Sequence, residues 1–260
     1  MPRPTNRVIL ITGASSGIGA ATAINFSKYG AKLALTGRNI ENLQKIVAKI
    51  CEITKEDKVK PLVISGDLSN ENDVKNILSS TIKEFCKLDV LVNNAGIMEE
   101  GSIETTNLEQ FDRTFNTNVR SMYQLTNLAV PYLIESKGSI VNVSSVNGIR
   151  SFPGLVAYNM SKSAVDQFTK SVALDLGRQG VRVNSVNPGT IITELQKRGG
   201  MSEEKYAKFL ERSKETHILG RAGQPEEVAH AIAFLASNDA SFITGVNLSV
   251  DGGRHLMCPR

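Results

Sequence analysis

Tryptophan is absent from this chain of 260 residues, aromatic side chains make up 5% of it, and cysteine and histidine occur three times each. Each shortage excludes something. Cys51, Cys86 and Cys258 form an odd set with no Cys-x-x-Cys spacing, which argues against a disulfide framework and reads as reduced thiols of an intracellular protein. His217, His230 and His255 sit at no metal-ligand spacing, so no metal site is expected. Long hydrophobic runs are missing too. The apolar stretch after Arg7 is too short for a signal-peptide core or a membrane span, and no later stretch is long enough. Residues 257–260 match no lipidation or organelle-address signal, and a cytoplasmic protein is expected. The net charge of +4 comes from basic residues scattered among acidic ones, which argues against nucleic-acid binding.

What the chain does have is a regular alternation. Short apolar runs at residues 8–11, 32–35, 60–64, 90–92, 139–143, 181–186 and 246–250 predict strands, most of them continuously apolar, as buried parallel strands are. Between them the helical period appears. Ile40, Leu43, Ile46, Val47 and Ile50 line one face of a segment, and Val74, Ile77, Leu78, Ile82 and Phe85 line another. This order predicts an α/β fold, a doubly wound parallel sheet with helices on both faces. Neither a linker-like stretch nor an internal repeat interrupts it, so one domain over residues 1–260 is expected. The least regular segment, 190–217, carries Gly199, Gly200 and a charged helical run at 202–214. It reads either as a cover over a binding site or as a solvated surface helix.

The strand ends carry the chemistry. After the first strand, Gly13, Ser15, Ser16, Gly17, Ile18 and Gly19 form a Gly-x-x-x-Gly-x-Gly turn that leads into a helix. There the glycines let a pyrophosphate approach the backbone, and the helix N-terminus offers free amides and a favourable dipole. At the end of the second strand, where an NAD site would place a carboxylate, stands Gly37 followed by Arg38. A guanidinium there pairs with a 2′-phosphate and stacks on adenine, which favours NADP over NAD. The third strand ends at Asp67 and Leu68, with Asp67 able to accept from an adenine amino group or to cap the next helix, a role Ser69 and Asn70 also suit. Asn93, Asn94, Ala95 and Gly96 close the fourth strand, and suit both a nearby cofactor and a plain turn.

Tyr158 and Lys162 are four residues apart in a helical stretch, which stacks phenol and ammonium on one face. A phenol of pKa near 10 becomes a usable acid or base near neutrality only with such help, and a cation beside it favours the phenolate. Ser145 ends the fifth strand thirteen residues before the tyrosine, with Ser144 next to it on the opposite face.

In this order and at these spacings the turn from Thr12 to Gly19, Asp67, Asn93-Asn94-Ala95-Gly96, Asn118, Ser145, Tyr158 with Lys162, and Pro188-Gly189 resemble the short-chain dehydrogenase/reductases. The resemblance covers nearly the whole chain and extends to Val250-Asp251-Gly252-Gly253 in the tail. It implies a seven-stranded Rossmann-type sheet and a homo-oligomer, a tetramer before a dimer, paired through the helices at about 108–134 and 156–176. It also implies Tyr158 as the acid in carbonyl reduction and the base in alcohol oxidation. Lys162 would bind the nicotinamide ribose and lower the tyrosine pKa, Ser145 would hold the substrate oxygen, and Asn118 would carry a water-linked proton path. Pro188, Gly189, Thr190 and Thr193 would flank the nicotinamide, while Thr12, Ser15, Ile18 and Asn93 complete the cofactor contacts. The glycine turn has no basic residue before Gly17, so Arg38 carries the NADP(H) preference nearly alone and NAD(H) remains the second choice. Met98, Val146, Asn147, Phe152, Ile191, Leu195 and Met201 near the expected pocket point to a lipophilic or amphipathic carbonyl compound, steroid-like or a 3-oxoacyl thioester among the candidates. A binding or regulatory protein that kept this fold without turnover is the rival reading, as is an NAD-dependent alcohol dehydrogenase.

Overall fold

The computed structural model describes residues 6–54 and 60–257, and among these the apolar runs become one sheet. Its strands are β1 (Val8–Thr12), β2 (Lys32–Gly37), β3 (Leu62–Ser65), β4 (Val90–Asn93), β5 (Ser139–Val143), β6 (Arg182–Pro188) and β7 (Asn247–Val250). They pair in the order β3-β2-β1-β4-β5-β6-β7, every pairing parallel. Parallel neighbours need crossovers, and helices supply them. These are α1 (Gly17–Ser27), α2 (Ile40–Thr54), α3 (Glu71–Phe85), α4 (Leu108–Phe115), α5 (Ser121–Ser136), α6 (Val146–Ile149), α7 (Val156–Leu176), α8 (Leu195–Arg198), α9 (Glu203–Thr216) and α10 (Pro225–Ala236).

Side chains alternate across the sheet, and each side has its own core. Ile9, Ile11, Leu33 and Leu35 meet Phe26 of α1, Val47 of α2 and Ile232 of α10. Val8, Leu10, Leu91 and Ile140 meet Val74 and Ile77 of α3, Leu125 of α5 and Leu176 of α7. Because both faces are covered, β1 is buried at all five positions. The strand order reverses between β1 and β4, which leaves a crevice at the carboxyl ends of those strands, where an open α/β sheet binds its ligands.

Three sequence expectations shift. The third strand starts at Leu62, opposite Ala34, rather than at Lys60, since Pro61 has no N–H to give a ladder. Val246 lies outside the last strand because its N–H donates to the Asn184 side chain at 3.1 Å. Ile40, expected on the apolar face, is the first residue of α2 and is exposed. The segment 190–217 is largely ordered into α8 and α9. Cys258 lies outside the described residues, and among those residues no helix is long and apolar enough to cross a membrane.

Candidate active site

The phosphate end is stitched together before any ligand arrives. Thr12 Oγ1 accepts from the backbone N–H groups of Asn94 and Ala95 at 2.9 and 3.0 Å, and the Asn94 side chain donates back to the Thr12 carbonyl at 2.8 Å. The ends of β1 and β4 are thereby locked together. Gly13 and Gly17 adopt left-handed φ values of 63° and 53°, a conformation open to glycine at no steric cost. A Cβ on Gly19 would strike the Gly13 carbonyl and the Asn94 amide. Ser16 is the N-cap of α1 but its side chain makes no capping bond, so the first-turn amides are left for another partner. Gly13, Ser15, Ser16, Gly17 and Ile18 line one wall of the crevice, Arg38, Asp67 and Leu68 one end, and Ala95, Gly96, Tyr158 and Lys162 the other. The lining fits a dinucleotide. Side chains at the glycines would fill the strip, for a Cβ on Gly17 would lie 3.1 Å from the Thr193 side chain and one on Gly96 3.5 Å from Lys162 Nζ.

Arg38 and Asp67 face each other at one end of the crevice, Nη1 to Oδ2 at 4.0 Å, both well exposed. Asp67 does not cap α3. Its Oδ1 accepts from Ser69 N–H and Oγ at 2.9 and 2.8 Å, while Asn70 caps the helix by accepting from Asn72 and Asp73. Burial pushes the Asp67 carboxyl up, but the two Ser69 bonds and the Arg38 charge outweigh it and hold the pKa below the ordinary value. An exposed pair at this distance is cheap to open, which leaves the guanidinium available to a ligand.

Tyr158 stands at the junction of two spaces. Lys162 and Ser144 face the dinucleotide crevice, Ser145 faces a second cavity, and Tyr158 lines both. Tyr158 and Lys162 are one turn apart in α7, with Nζ 5.6 Å from the ring centroid. Asn118 is buried in a π-helical turn, Asn116–Arg120, that joins α4 to α5. Its side-chain oxygen accepts from Ile97 N–H at 2.8 Å, and its nitrogen donates to the Ile97 carbonyl at 2.9 Å and to Ser161 Oγ at 3.0 Å. The side chain thus clamps the segment after β4 against α7, one residue from Lys162. π turns of this kind often mark functional positions, and sequence periodicity does not reveal them.

The protonation of the pair differs from the sequence expectation. Burial pushes the Tyr158 phenol up to about 12, with a Ser145 hydrogen bond working against the rise. Burial also pushes the Lys162 ammonium down to about 8, opposed by the Asp166 carboxylate. Lys162 Nζ donates to the Val143 carbonyl at 2.9 Å. Desolvation therefore outweighs the help a cation gives a phenol. Ser145 Oγ accepts from Asn147 N–H and donates to the Asn147 side chain, both at 3.1 Å.

The second cavity, of ≈ 500 Å³, takes in all seven apolar or amide residues expected near a pocket, including Met98, Phe152 and Met201. Pro188, Gly189 and Thr190 line it, and Thr193 lines both spaces. Asn93 does not line the crevice: its amide is spent on Thr126 Oγ1 at 3.0 Å and Asn142 Oδ1 at 2.9 Å, behind the strand ends. Several lining residues escape the sequence reading. Gln196 of α8, with a buried side-chain oxygen that has no partner among the described residues, and Arg212 of α9 belong to the irregular segment. Arg254 arrives from the tail. His217, read as a satisfied or surface histidine, accepts from Thr190 N–H through Nε2 at 3.1 Å, so Nδ1 carries the proton and faces the Ser213 carbonyl at 3.1 Å. Among the described residues no group of three or more His, Cys, Asp or Glu is arranged to hold a metal ion.

Residues 13–255 match a protein-family model described as enoyl-(acyl carrier protein) reductase. The 3-oxoacyl-[acyl-carrier-protein] reductase FabG of Thermotoga maritima is 38% identical over 256 residues, 96% of this chain and 98% of its own. A short-chain dehydrogenase/reductase of Caenorhabditis elegans, solved with cofactor, superposes with a TM-score of 0.92 at 37% identity over 99% of this chain and 98% of its own. A 3-ketoacyl-(acyl-carrier-protein) reductase from Brucella melitensis, complexed with NADH, superposes with a TM-score of 0.86 at 35% identity over 96% of this chain and 99% of its own.

Proposed function

The chain belongs to the short-chain dehydrogenase/reductase family, and from that premise we propose that it is an NADP(H)-dependent oxidoreductase interconverting a ketone and a secondary alcohol. The nicotinamide supplies or receives the hydride. The observation that carries the reading is Tyr158 at the meeting point of the two spaces, with Lys162 on the crevice side and Ser145 on the cavity side.

In the reductive direction the substrate oxygen gains negative charge and needs a proton. Tyr158, at about 12, holds one at neutral pH and can give it. Ser145 Oγ would fix the substrate oxygen beside the phenol by turning its one proton from the Asn147 side chain to that oxygen, while Asn147 N–H continues to hold the hydroxyl oxygen in place. In the oxidative direction the phenolate has to form, and Lys162 favours it when charged. Asn118 steadies the turn behind Lys162 along which the proton would be replaced.

Arg38, loosely paired and exposed, supports NADP(H) over NAD(H), because a 2′-phosphate would meet a guanidinium with little to displace. The apolar cavity walls favour a substrate with a lipophilic body, and residues 190–217, through Gln196, Met201 and Phe209, would cover it as part of a single domain. We also read the protein as a homo-oligomer, a tetramer in the first instance. Leu108 of α4, Tyr123 of α5 and Leu174 of α7 are exposed large side chains on the helices expected to pair, and light scattering on the purified protein tests this.

The functional test is oxidation of NADPH and NADH on a panel of steroid, acyl-thioester, sugar and aromatic ketones, with Tyr158→Phe as control. Turnover by the native protein that falls by about 100-fold or more in the variant supports the acid–base role. Equal turnover by both overturns it, and no cofactor-dependent turnover on any ketone favours a binding or regulatory protein.

A further inference from the structure

The cavity beside Ser145 and Tyr158 is apolar for most of its wall, yet two arginines reach it from distant parts of the chain: Arg212 on α9 and Arg254 in the tail. Arg254 is half-buried, with its guanidinium over the Phe152 ring at 4.7 Å. Arg150 lies over the same ring at 5.5 Å, so one phenyl group carries two cations. The arrangement costs energy. Burial and the like charges of Arg150 and Arg212 disfavour the protonated Arg254, and only Asp251 favours it. Asp251 is otherwise engaged, its carboxylate accepting from Gly253 N–H, His255 N–H and His255 Nδ1. Among the described residues no carboxylate lies within ion-pair distance of Arg254 or Arg212. The one acidic residue lining the cavity, Glu100, is exposed and is not among the charges acting on Arg254.

Arg150 has a structural task, donating from Nη1 to the carbonyls of Arg254, His255 and Met257 and so fixing the tail. The Arg254 guanidinium has no hydrogen-bond acceptor among the described residues. A planar donor fork without an acceptor of its own, set over a ring in the wall of a largely apolar cavity, suits a planar or tetrahedral oxyanion. Resting on the oxidoreductase reading, we propose that the substrate is an anionic carbonyl compound, or the matching alcohol. Its apolar body would fill the cavity, its reacting oxygen would lie at Ser145 and Tyr158, and its carboxylate or phosphate would be bound by Arg254 with Arg212 beside it. The expected lipophilic substrate becomes an amphipathic one, with the charge at the end away from the chemistry.

The test uses the full-length protein saturated with its preferred dinucleotide. Methyl-ketone carboxylates of increasing chain length are assayed beside their methyl esters, and ketone phosphates beside the parent ketones, so the two arms separate carboxylate from phosphate. For the matching chain length the anion has a kcat/KM about 10- to 100-fold above its neutral partner, as a charge-assisted hydrogen bond implies. Arg254→Gln brings that ratio close to unity, mainly through KM, and Arg254→Lys retains part of it. Calorimetric binding of saturated carboxylates against the corresponding amides, to the dinucleotide-loaded Tyr158→Phe protein, gives the same ranking without turnover. Equal values for every anion and its neutral partner in both measurements overturn the proposal, as does an anion preference that survives in Arg254→Gln. Arg254-dependent anion binding with no turnover of any ketone overturns the oxidoreductase reading and leaves the anion site standing.

Discussion

The Asn187 side-chain nitrogen donates to both carboxylate oxygens of Asp166, at 3.0 and 2.9 Å, and also to the carbonyl of Ser145 at 2.9 Å. A buried acid on α7 is thus connected through β6 to the backbone of Ser145, which lines the second cavity. Burial pushes the Asp166 carboxyl up, while Ser144, Asn187, Lys162 and Lys170 pull it down without cancelling the rise. A carboxyl whose pKa is raised by folding stabilises the protein below its ordinary range and loses that contribution as pH rises through the folded value. The ionised form of Asp166 is therefore disfavoured on balance by burial, a cost that its hydrogen bonds reduce.

Asp166→Ala takes one of the two acceptor groups from the buried Asn187 side-chain nitrogen and leaves it only the Ser145 carbonyl. The expected loss is about 1–3 kcal/mol of stability by chemical denaturation, with kcat falling because the Ser145 backbone loses its brace. Asp166→Asn can still accept from Asn187 and recovers most of the stability. If Asp166→Ala lowers stability while kcat stays at the native level, Asp166 is structural only.

Burial pushes the Lys162 ammonium down to about 8. A bound dinucleotide brings negative charge into the crevice that Lys162 lines and favours the ammonium. Binding should therefore take up protons at pH values above about 8 and few at neutrality, where the lysine is already largely charged. Calorimetry in buffers of different ionisation enthalpy measures the uptake, and Lys162→Met should abolish it.

The sheet, the glycine turn and the stack of Tyr158 on Lys162 were legible because each is written in local sequence: continuous apolar runs in the strands, glycines at a strand end, four residues in a helix. Asp166, Asn187, His217 and Arg254 were not. They lie on four separate elements or connections, and nothing in the local pattern marks the side chains that meet behind Ser145 or in the cavity wall. The direction of the Tyr158 shift was also hidden, since a neighbouring cation is visible in sequence and desolvation is not. Asn93 shows the converse error. It sits at the right strand end, but its side chain turns inward to Thr126 and Asn142.

His217 holds the Thr190 backbone only while Nε2 is an acceptor. Burial lowers its pKa, the Arg254 charge adds to this, and Ser213 and Asp251 oppose it. A histidine depressed by folding stabilises the protein above its ordinary range, and the contribution is lost as pH falls through the folded value. On acidification through the lowered His217 pKa the 188–190 stretch should loosen, with KM for dinucleotide or substrate rising only below the ordinary histidine range. His217→Asn should show the raised KM already at neutral pH and flatten the pH dependence.

In the proposed function the choice between NADPH and NADH rests on Arg38. It is the cation at the adenosine end of the crevice wall that starts at Gly37, and its 4.0 Å contact with Asp67 is weak enough to yield to a phosphate. Arg38→Asp restores the carboxylate an NAD site would have at this strand end and repels a 2′-phosphate. It should lower kcat/KM for NADPH by about 10- to 100-fold, the worth of a charge-assisted phosphate contact, and leave or raise that for NADH. The comparison is made on one ketone, with stability measured in parallel so that a folding defect is not mistaken for selectivity. If the native protein already prefers NADH, Arg38 is a surface charge and Asp67, held ionised by Ser69, becomes the group that reads the adenosine end.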